Sequence, residues 1–354
     1  MTGRERRESG AASRARATID DVARAAGVST ATVSRALNGA PWVREATRGK
    51  VLAAAEALDY HPSITAQSLT TGRSRVIGIV VSDIQIPFFT TVARGIQNVA
   101  HRHGYLTLVG NSDEMSAAED DLIRAFTARM VDGLIVSPSA GGNTQLRQIA
   151  GSVPLVLVDR LVPGLETDAA LSANAEGAQT ATNRLLAFGH LRIAYVTDPP
   201  DKTSSEERLA GFRGAMANAG LPADPDLVWI VDYHTVRAQR RISELLRRHR
   251  PTALIASEGS ITLGALRAAQ DLGIAIPTDL SLIGFDQLDW GTATTPPITV
   301  VSQDAERIGA TAARMLIRQL GRAPGARAKT PHVERVATAL VERASCAPPG
   351  DRAA

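Results

Sequence analysis

Residues 18–39, TIDDVARAAGVSTATVSRALNG, constrain the fold more than any other stretch of the chain. Ile19, Val22, Ala23 and Ala26 recur at helical spacing and make one apolar face. Asp20 and Asp21 stand in the first turn, where carboxylates suit the positive end of a helix. Gly27 breaks that helix, Val28 can pack into the bend, and Ser29 is an N-cap residue for a second helix. Ala31, Val33 and Leu37 supply its apolar contacts, while Thr30, Thr32, Ser34 and Arg35 occupy other faces. Asn38 and Gly39 stop it, since both tolerate a left-handed backbone. Helices this short are poorly stable alone. The polar face of the second is small, hydrogen-bonding and nearly free of acid, which suits phosphates and base edges of duplex DNA. A plain helical hairpin inside a larger core would share every one of these features, and only the neighbouring segments separate the two.

A third helix is expected over Arg44–Leu58, with Ala46, Val51, Leu52, Ala55 and Leu58 on an apolar stripe that completes a small head. In YHPSITAQSL, from Tyr60 to Leu69, Pro62 can start a short helix at Ser63 that runs to about Leu69 and meets Gly72. That segment is either a simple linker or an element that folds on binding. Charge is uneven: residues 1–75 carry 12 Lys and Arg against 7 Asp and Glu, and the remainder carries 27 against 29. A basic head on a slightly acidic body is the balance of a DNA reader carrying a small-molecule domain.

From Arg75 the pattern changes. VIGIVV, YLTLVGNS, GLIVSP and LVLVDR read as strands, with helices between them. After Asn174 the alternation restarts, with strands at RIAYVTD, VWIVD, ALIAS and LSLIGFD. Alternating βα units make parallel sheets covered on both faces, and two successive sets imply two lobes. Ligands of such sheets sit beyond the carboxyl ends of the strands. Phe88, Phe89, Asp159, Arg160, Arg208, Tyr233, Glu258, Asp286 and Trp290 lie at or just past such ends, or open a following helix. Aromatic faces with charged hydrogen-bonding groups suit a polar ring such as a sugar or nucleobase. Each Phe could equally be core, and Asp159 and Arg160 could simply pair with each other.

The chain resembles the LacI/GalR family of bacterial transcriptional repressors. TIDDVARAAGVSTATVSRALNG is similar to the family headpiece, YHPSITAQSL to its hinge helix, and VIGIVVSDIQIPFF to the start of its effector domain. MVDGLIV, VDR at 158–160, GHLRIAYV, RLAGF, ALRAAQDLGIAIPTDLSLIGFD and TPPITVVSQD extend the likeness over about residues 18–345. The resemblance implies an all-α helix-turn-helix headpiece and a two-lobed α/β effector domain of the periplasmic-binding-protein type I fold. Expected boundaries are a disordered basic arm at 1–17, the headpiece at 18–60, the hinge helix and linker at 61–74, and the effector domain at 75–345. Within that domain, three chain crossovers would place 75–173 and 302–331 in the first lobe, and 174–301 and 332–345 in the second. A disordered tail is expected at 346–354.

The resemblance further implies that Thr30, Ala31 and Arg35 face base edges. Thr18, Ser29, Thr32, Ser34 and Asn38 are expected at the DNA, and Ala66 and Leu69 of the hinge in the minor groove. It places Phe88, Phe89, Asp159, Arg208, Tyr233 and Asp286 in the effector pocket; Glu258 and Trp290 are added from their strand-end positions. Ile86, Ala173 and the Glu258-Gly259 pair depart from the family's usual Asn, Asp and Asn-Asp, which puts a standard sugar pocket in doubt.

The expected partners are a near-palindromic operator, a sugar or sugar-like effector and a second copy of the chain, with no cofactor or metal. ERASCAPPGDRAA has no heptad, so a tetramer is not expected. The charged N-terminus lacks an apolar run and no stretch could span a bilayer, so a cytoplasmic location is expected; the single Cys346 fits a reducing compartment. No GxxxxGK[ST], GxSxG or HExxH occurs, and His101 and His103 diverge on a helix, so an enzyme is not expected. The rival is a cytoplasmic solute-binding or sugar-processing protein whose head is not a specific DNA reader.

Overall fold

A computed structural model describes residues 17–37, 40, 42–60, 73–128, 131–231, 235–287, 289–322 and 330–350. The expected hinge helix, with Ala66 and Leu69, lies outside these residues, as do Asn38, Tyr233 and the basic arm through residue 16. The chain divides into two compact units, residues 1–74 and 75–354.

The first unit holds α1 (Ile19–Ala26), α2 (Thr30–Leu37) and α3 (Glu45–Ala57). Thr18 and Asp21 form a reciprocal cap: the Asp21 amide donates to Thr18 Oγ1 at 3.4 Å, and the Thr18 amide donates to Asp21 Oδ2 at 3.0 Å. Gly27, at φ 68°, turns the chain out of α1 in the left-handed conformation. Ser29 Oγ then accepts from the Thr32 amide at 3.2 Å and caps α2. Val22, Ala23, Val33, Ala36, Val51 and Ala55 form the core, with Ile19, Val28, Leu37 and Tyr60 packed around it. The expected stripes need correction. Ala31 is exposed and Ala36 takes the buried place, while on α3 only Val51 and Ala55, one turn apart, are fully buried. Ala46, Leu52 and Leu58 are exposed.

The second unit contains two sheets built alike. Its first-lobe elements are β1 (Val76–Val81), α4 (Pro87–Arg102), β2 (Leu106–Asn111), α5 (Ser116–Ala128), β3 (Gly133–Val136), α6 (Thr144–Ile149), β4 (Leu155–Val158) and β5 (Asp168–Ser172). The second lobe repeats the plan with α7 (Asn174–Ala187), β6 (Ile193–Thr197), α8 (Thr203–Asn218), β7 (Val228–Ile230), α9 (Thr235–His249), β8 (Ala253–Ala256), α10 (Gly259–Asp271), β9 (Ser281–Phe285), α11 (Asp289–Thr292) and β10 (Thr299–Ser302). Then α12 (Ala305–Leu320) and β11 (Val333–Val336) return to the first lobe, and β12 (Ala339–Val341) to the second. The sheet orders are β11-β5-β4-β3-β1-β2 and β12-β10-β9-β8-β6-β7. Their pairings are parallel except β10 with β12. The central strands carry buried apolar side chains on both faces, as sheets covered on both sides require.

Three passages between lobes therefore follow Ser172, Ser302 and Val336. The last lies later than expected: β11 pairs with β5 in the first sheet, so residues 332–336 do not belong to the second lobe. Residues 346–350 are not a free tail either. Cys346 Sγ donates to the Leu282 carbonyl at 3.4 Å, and the buried His190 ring contacts the Ala347 carbonyl at 2.9 Å.

Candidate functional site

On the head, α2 presents the sequence-chosen residues unequally. Ala31 and Arg35 are exposed, and Thr30, Thr32 and Ser34 are half-buried. The first turn of α2 holds no acid and the last turn holds Arg35, so the exposed side offers hydroxyls and one cation. Ser29 and Thr32 are hydrogen-bonded to each other through their hydroxyls at 2.9 Å. The Thr18 hydroxyl donates to Asp21 Oδ2 at 2.7 Å, so it serves the helix cap.

In the second unit, a cleft with about 550 Å³ of empty space, part of it open solvent, gathers side chains from both lobes. Of the expected effector residues, Phe88, Phe89, Asp159, Arg208, Glu258 and Asp286 line it. Tyr233 lies outside the described residues. Trp290 is not in the lining. Helix α11 turns it onto the apolar core of the second lobe, formed in part by Leu280, Ile298 and Val300.

Two strand ends are built the same way. Asp159 follows β4 at φ 69°, and Asp286 follows β9 at φ 68°. Their amides donate to the neighbouring strands, at Ala170 O and Val301 O. A left-handed backbone at a residue with a Cβ is uncommon, and such positions cluster at functional sites. Phe88 and Phe89 open α4, meet edge to face with ring centroids 5.1 Å apart, and belong to the first-lobe core as well as to the cleft wall.

A chain of charges crosses the cleft. Arg160 Nε lies 2.7 Å from Asp159 Oδ2, and its Nη1 lies 2.9 and 3.0 Å from the two Glu114 oxygens. Lys202, from the second lobe, stands 3.8 Å from Glu114 and 3.1 Å from Asp198. All five side chains are at most 12% exposed, so the pairs are shielded from salt far more than surface pairs. Burial opposes the Arg160 charge, but Asp159 and Glu114 outweigh it and hold the guanidinium firmly protonated. Burial likewise raises Asp198, yet Lys202 and a hydrogen bond from Ser205 bring its carboxyl below the ordinary value.

Arg208 organises the other end. Its Nε donates to Asn174 Oδ1 at 2.8 Å, Nη1 to the Ser257 carbonyl at 2.6 Å and Nη2 to Gln303 Oε1 at 3.2 Å. The guanidinium lies 4.5 Å from the centre of the Phe285 ring. Gln303 passes the link on, donating from Nε2 to Asp286 Oδ1 at 2.6 Å. Burial raises the Asp286 carboxyl above its ordinary value, with Arg208 and Gln303 opposing. Glu258 caps α10, accepting from the amides of Ser260 at 3.0 Å and Ile261 at 3.3 Å. Burial, with Asp286 and Asp198 adding to it, pushes its carboxyl up to about 7.

Sequence reasoning missed Glu114, Asp198, Lys202, Ser204, Ser205 and Gln303 as lining residues, and kept Arg160 only as a partner of Asp159. Asp198 and Gln303 directly follow β6 and β10, so the strand-end rule reaches them too. Glu114, at φ 57° beyond β2, and Lys202, before α8, carry no such signal. The lining offers donors, acceptors and aromatic edges, which fits holding a polar molecule. Among the described residues, no group of His, Cys, Asp and Glu is arranged to hold a metal ion. No described helix is long and apolar enough to cross a membrane.

Comparison with known proteins agrees with this geometry. Residues 18–63 match the family model of bacterial regulatory proteins, lacI family, and residues 182–346 match a periplasmic binding protein-like domain. The chain is 33% identical over 307 residues to the HTH-type transcriptional repressor PurR of Aliivibrio salmonicida, covering 86% of this chain and 92% of the relative. It is 34% identical over 341 residues to the HTH-type transcriptional regulator GalR of Salmonella typhimurium, covering 95% and 97%. Among solved structures, the lac repressor dimer bound to operator and the anti-inducer ONPF superposes with a TM-score of 0.83. That match has 25% identity and covers 94% of this chain and all of the other.

Proposed function

This chain belongs to the LacI family of bacterial regulatory proteins, and we propose accordingly that it is a ligand-responsive, DNA-binding transcriptional repressor. It binds a near-palindromic operator as a homodimer and answers to a small polar effector in the cleft. One observation carries the reading: a single chain joins a capped three-helix head, with Ala31 and Arg35 exposed on α2, to a two-lobed body whose cleft is lined from both lobes. The head supplies base and phosphate contacts, and two heads match two half-sites. The cleft supplies control, because a ligand that binds one lobe arrangement better than another shifts the population between them. The genes governed are carbohydrate or related catabolic genes, and the protein works in the cytoplasm without an enzymatic role.

Self-association is supported by the sheet edges. Edge strand β2 leaves Leu106 58% and Leu108 39% exposed, and edge strand β7 leaves Ile230 54% exposed. Uncovered apolar edges invite pairing with another chain. Sedimentation of the full chain should give a dimer, and Leu108→Glu should move it toward monomer.

The whole reading is tested by selecting DNA from a random pool on the full chain. The selected duplex should be retained in a mobility shift by the full chain and not by residues 75–354. Equal retention by both, or no enriched duplex, would favour a solute-binding protein whose head does not read DNA.

A further inference from the structure

Five carboxylates and three cations line the cleft. Arg160 is committed to Asp159 and Glu114, and Lys202 to Asp198 and Glu114. Arg208 directs its hydrogen bonds to the neutral acceptors Asn174, Ser257 and Gln303 and stacks on Phe285; its charge reaches Asp286 across Gln303. Glu258 and Asp286 have no ion pair among the described residues and accept only from amide and hydroxyl donors. Ser257 Oγ, adjoining Glu258, and Tyr195 Oη are buried without a hydrogen-bond partner among the described residues. The Tyr195 hydroxyl feels the charges of Arg208 and Asp198, both in the lining. Ile86, Phe88 and Phe89 contribute apolar lining from the first lobe.

Resting on the reading of this cleft as the effector site, we infer that the effector presents a protonated amine to the corner between Glu258 and Asp286. An anionic ligand meets two unpaired, half-buried carboxylates there, and the one cation without an ion pair among the described residues, Arg208, spends its donors on Asn174, Ser257 and Gln303. A neutral hydroxyl can donate to either, but it leaves their mutual repulsion in place. An ammonium group brings three donors and no acceptor, and cancels charge where two carboxylates share a half-buried site. Its donors suit both carboxylates, and the Phe88 and Phe89 rings in the lining tolerate a cation. The site is accordingly one for a polar ring bearing an amine, such as an amino sugar, rather than for a uronic acid or a phosphorylated sugar. Because Glu258 titrates near 7, its attraction for a cation strengthens as pH rises through that value.

The test uses the full chain and a charge series on one ring: glucosamine and galactosamine, their parent hexoses, and glucuronate. Calorimetry and thermal shift are run at about pH 5.5 and about pH 7, where the amine is still mostly protonated. At the higher pH an amino sugar should bind about tenfold more tightly than its parent hexose, as one charge-assisted hydrogen bond provides, and glucuronate should not bind. The amine's advantage should shrink at the lower pH and in Glu258→Gln. A hexose that binds as tightly as its amine, or an amine advantage that survives Glu258→Gln combined with Asp286→Asn, overturns the inference. So does the absence of binding by either amine. A hexose that binds the wild type as tightly as its amine and fails on Asp286→Asn would keep the cleft as the effector site while removing the amine from it.

Discussion

Arg35 sits exposed in the last turn of α2, with its side chain committed to no described ion pair. A guanidinium in that place can take guanine O6 and N7 together, so Arg35→Ala should cost about 1–3 kcal/mol of operator affinity and relax preference at one base pair. Titration against the selected operator and against random duplex checks this; equal losses on both would make Arg35 a phosphate contact. Glu258 gives a second prediction. Its carboxyl titrates near 7 in the folded chain against 4.5 when free, so the folded state holds the extra proton between those values. The stability it contributes is full below about 4.5 and is lost as pH rises through about 7. The melting temperature of wild type minus that of Glu258→Gln should therefore fall across that window, and a flat difference would mean Glu258 is not enclosed as described. Individual site residues are partly legible in the sequence. Asp159 and Asp286 can be picked out because a strand end aims the next side chain into the cleft, whereas Arg208, inside α8, is reached only through the likeness of RLAGF to the family. Trp290 obeys the same proximity, but the short helix α11 rotates it onto the core, which proximity in sequence does not reveal. Glu114 and Lys202 come from loops whose course depends on the whole lobe.

The crossing of α4 and α12 depends on two backbone approaches that admit no side chain. A Cβ at Gly309 of α12 would lie 2.0 Å from the Val92 carbonyl of α4, and one at Gly95 would lie 2.2 Å from the Glu306 carbonyl. Neither obstacle is a flexible side chain, so the helices would have to separate. Gly309→Ala should cost about 1–3 kcal/mol, since overpacking a close-packed contact is absorbed only by backbone movement. Gly214, on α8, faces open space, so Gly214→Ala should be neutral or stabilising through helix propensity alone. Chemical denaturation of the two variants separates these outcomes, and equal stability would refute the close crossing. The alternating helices and strands of the body are readable because buried parallel strands are continuous apolar runs. Asp168–Ser172, DAALS, is not readable, although every residue in it is buried: short alanine-rich segments lack the β-branched signature of a strand. The placement of β11 escapes the sequence for a related reason. Val333–Val336 and Ala339–Val341 are both short, and only pairing with β5 or β10 decides their sheet.

Across the whole body, sheets of the same strand order put equivalent aspartates at the ends of β4 and β9, and three passages of the chain join the lobes. The charge chain from Asp159 to Asp198 passes from one lobe to the other at the Glu114–Lys202 contact, which a change in lobe geometry would separate or compress. A ligand in the cleft is thereby able to favour one arrangement, and a family of repressors is what such coupling serves. The two-lobed plan and the helix-turn-helix head are legible from periodicity and turn residues; the effector is not, because Ile86, Ala173 and Glu258 depart from the pattern the family resemblance implies, and two of them, Ile86 and Glu258, line the cleft. Occupancy of the cleft should control DNA binding through Arg208. Operator affinity of the full chain decides this, measured with and without whichever sugar or amino sugar raises its melting temperature, for wild type and for Arg208→Ala. The wild type should change affinity by about 5–150-fold in one direction, the range of ordinary coupling energies, and Arg208→Ala should show no change while its ligand-free form still binds operator or still melts cooperatively. A variant that keeps the full wild-type change at the same ligand concentrations would remove Arg208 from the coupling and leave the cleft without a demonstrated hold on the head.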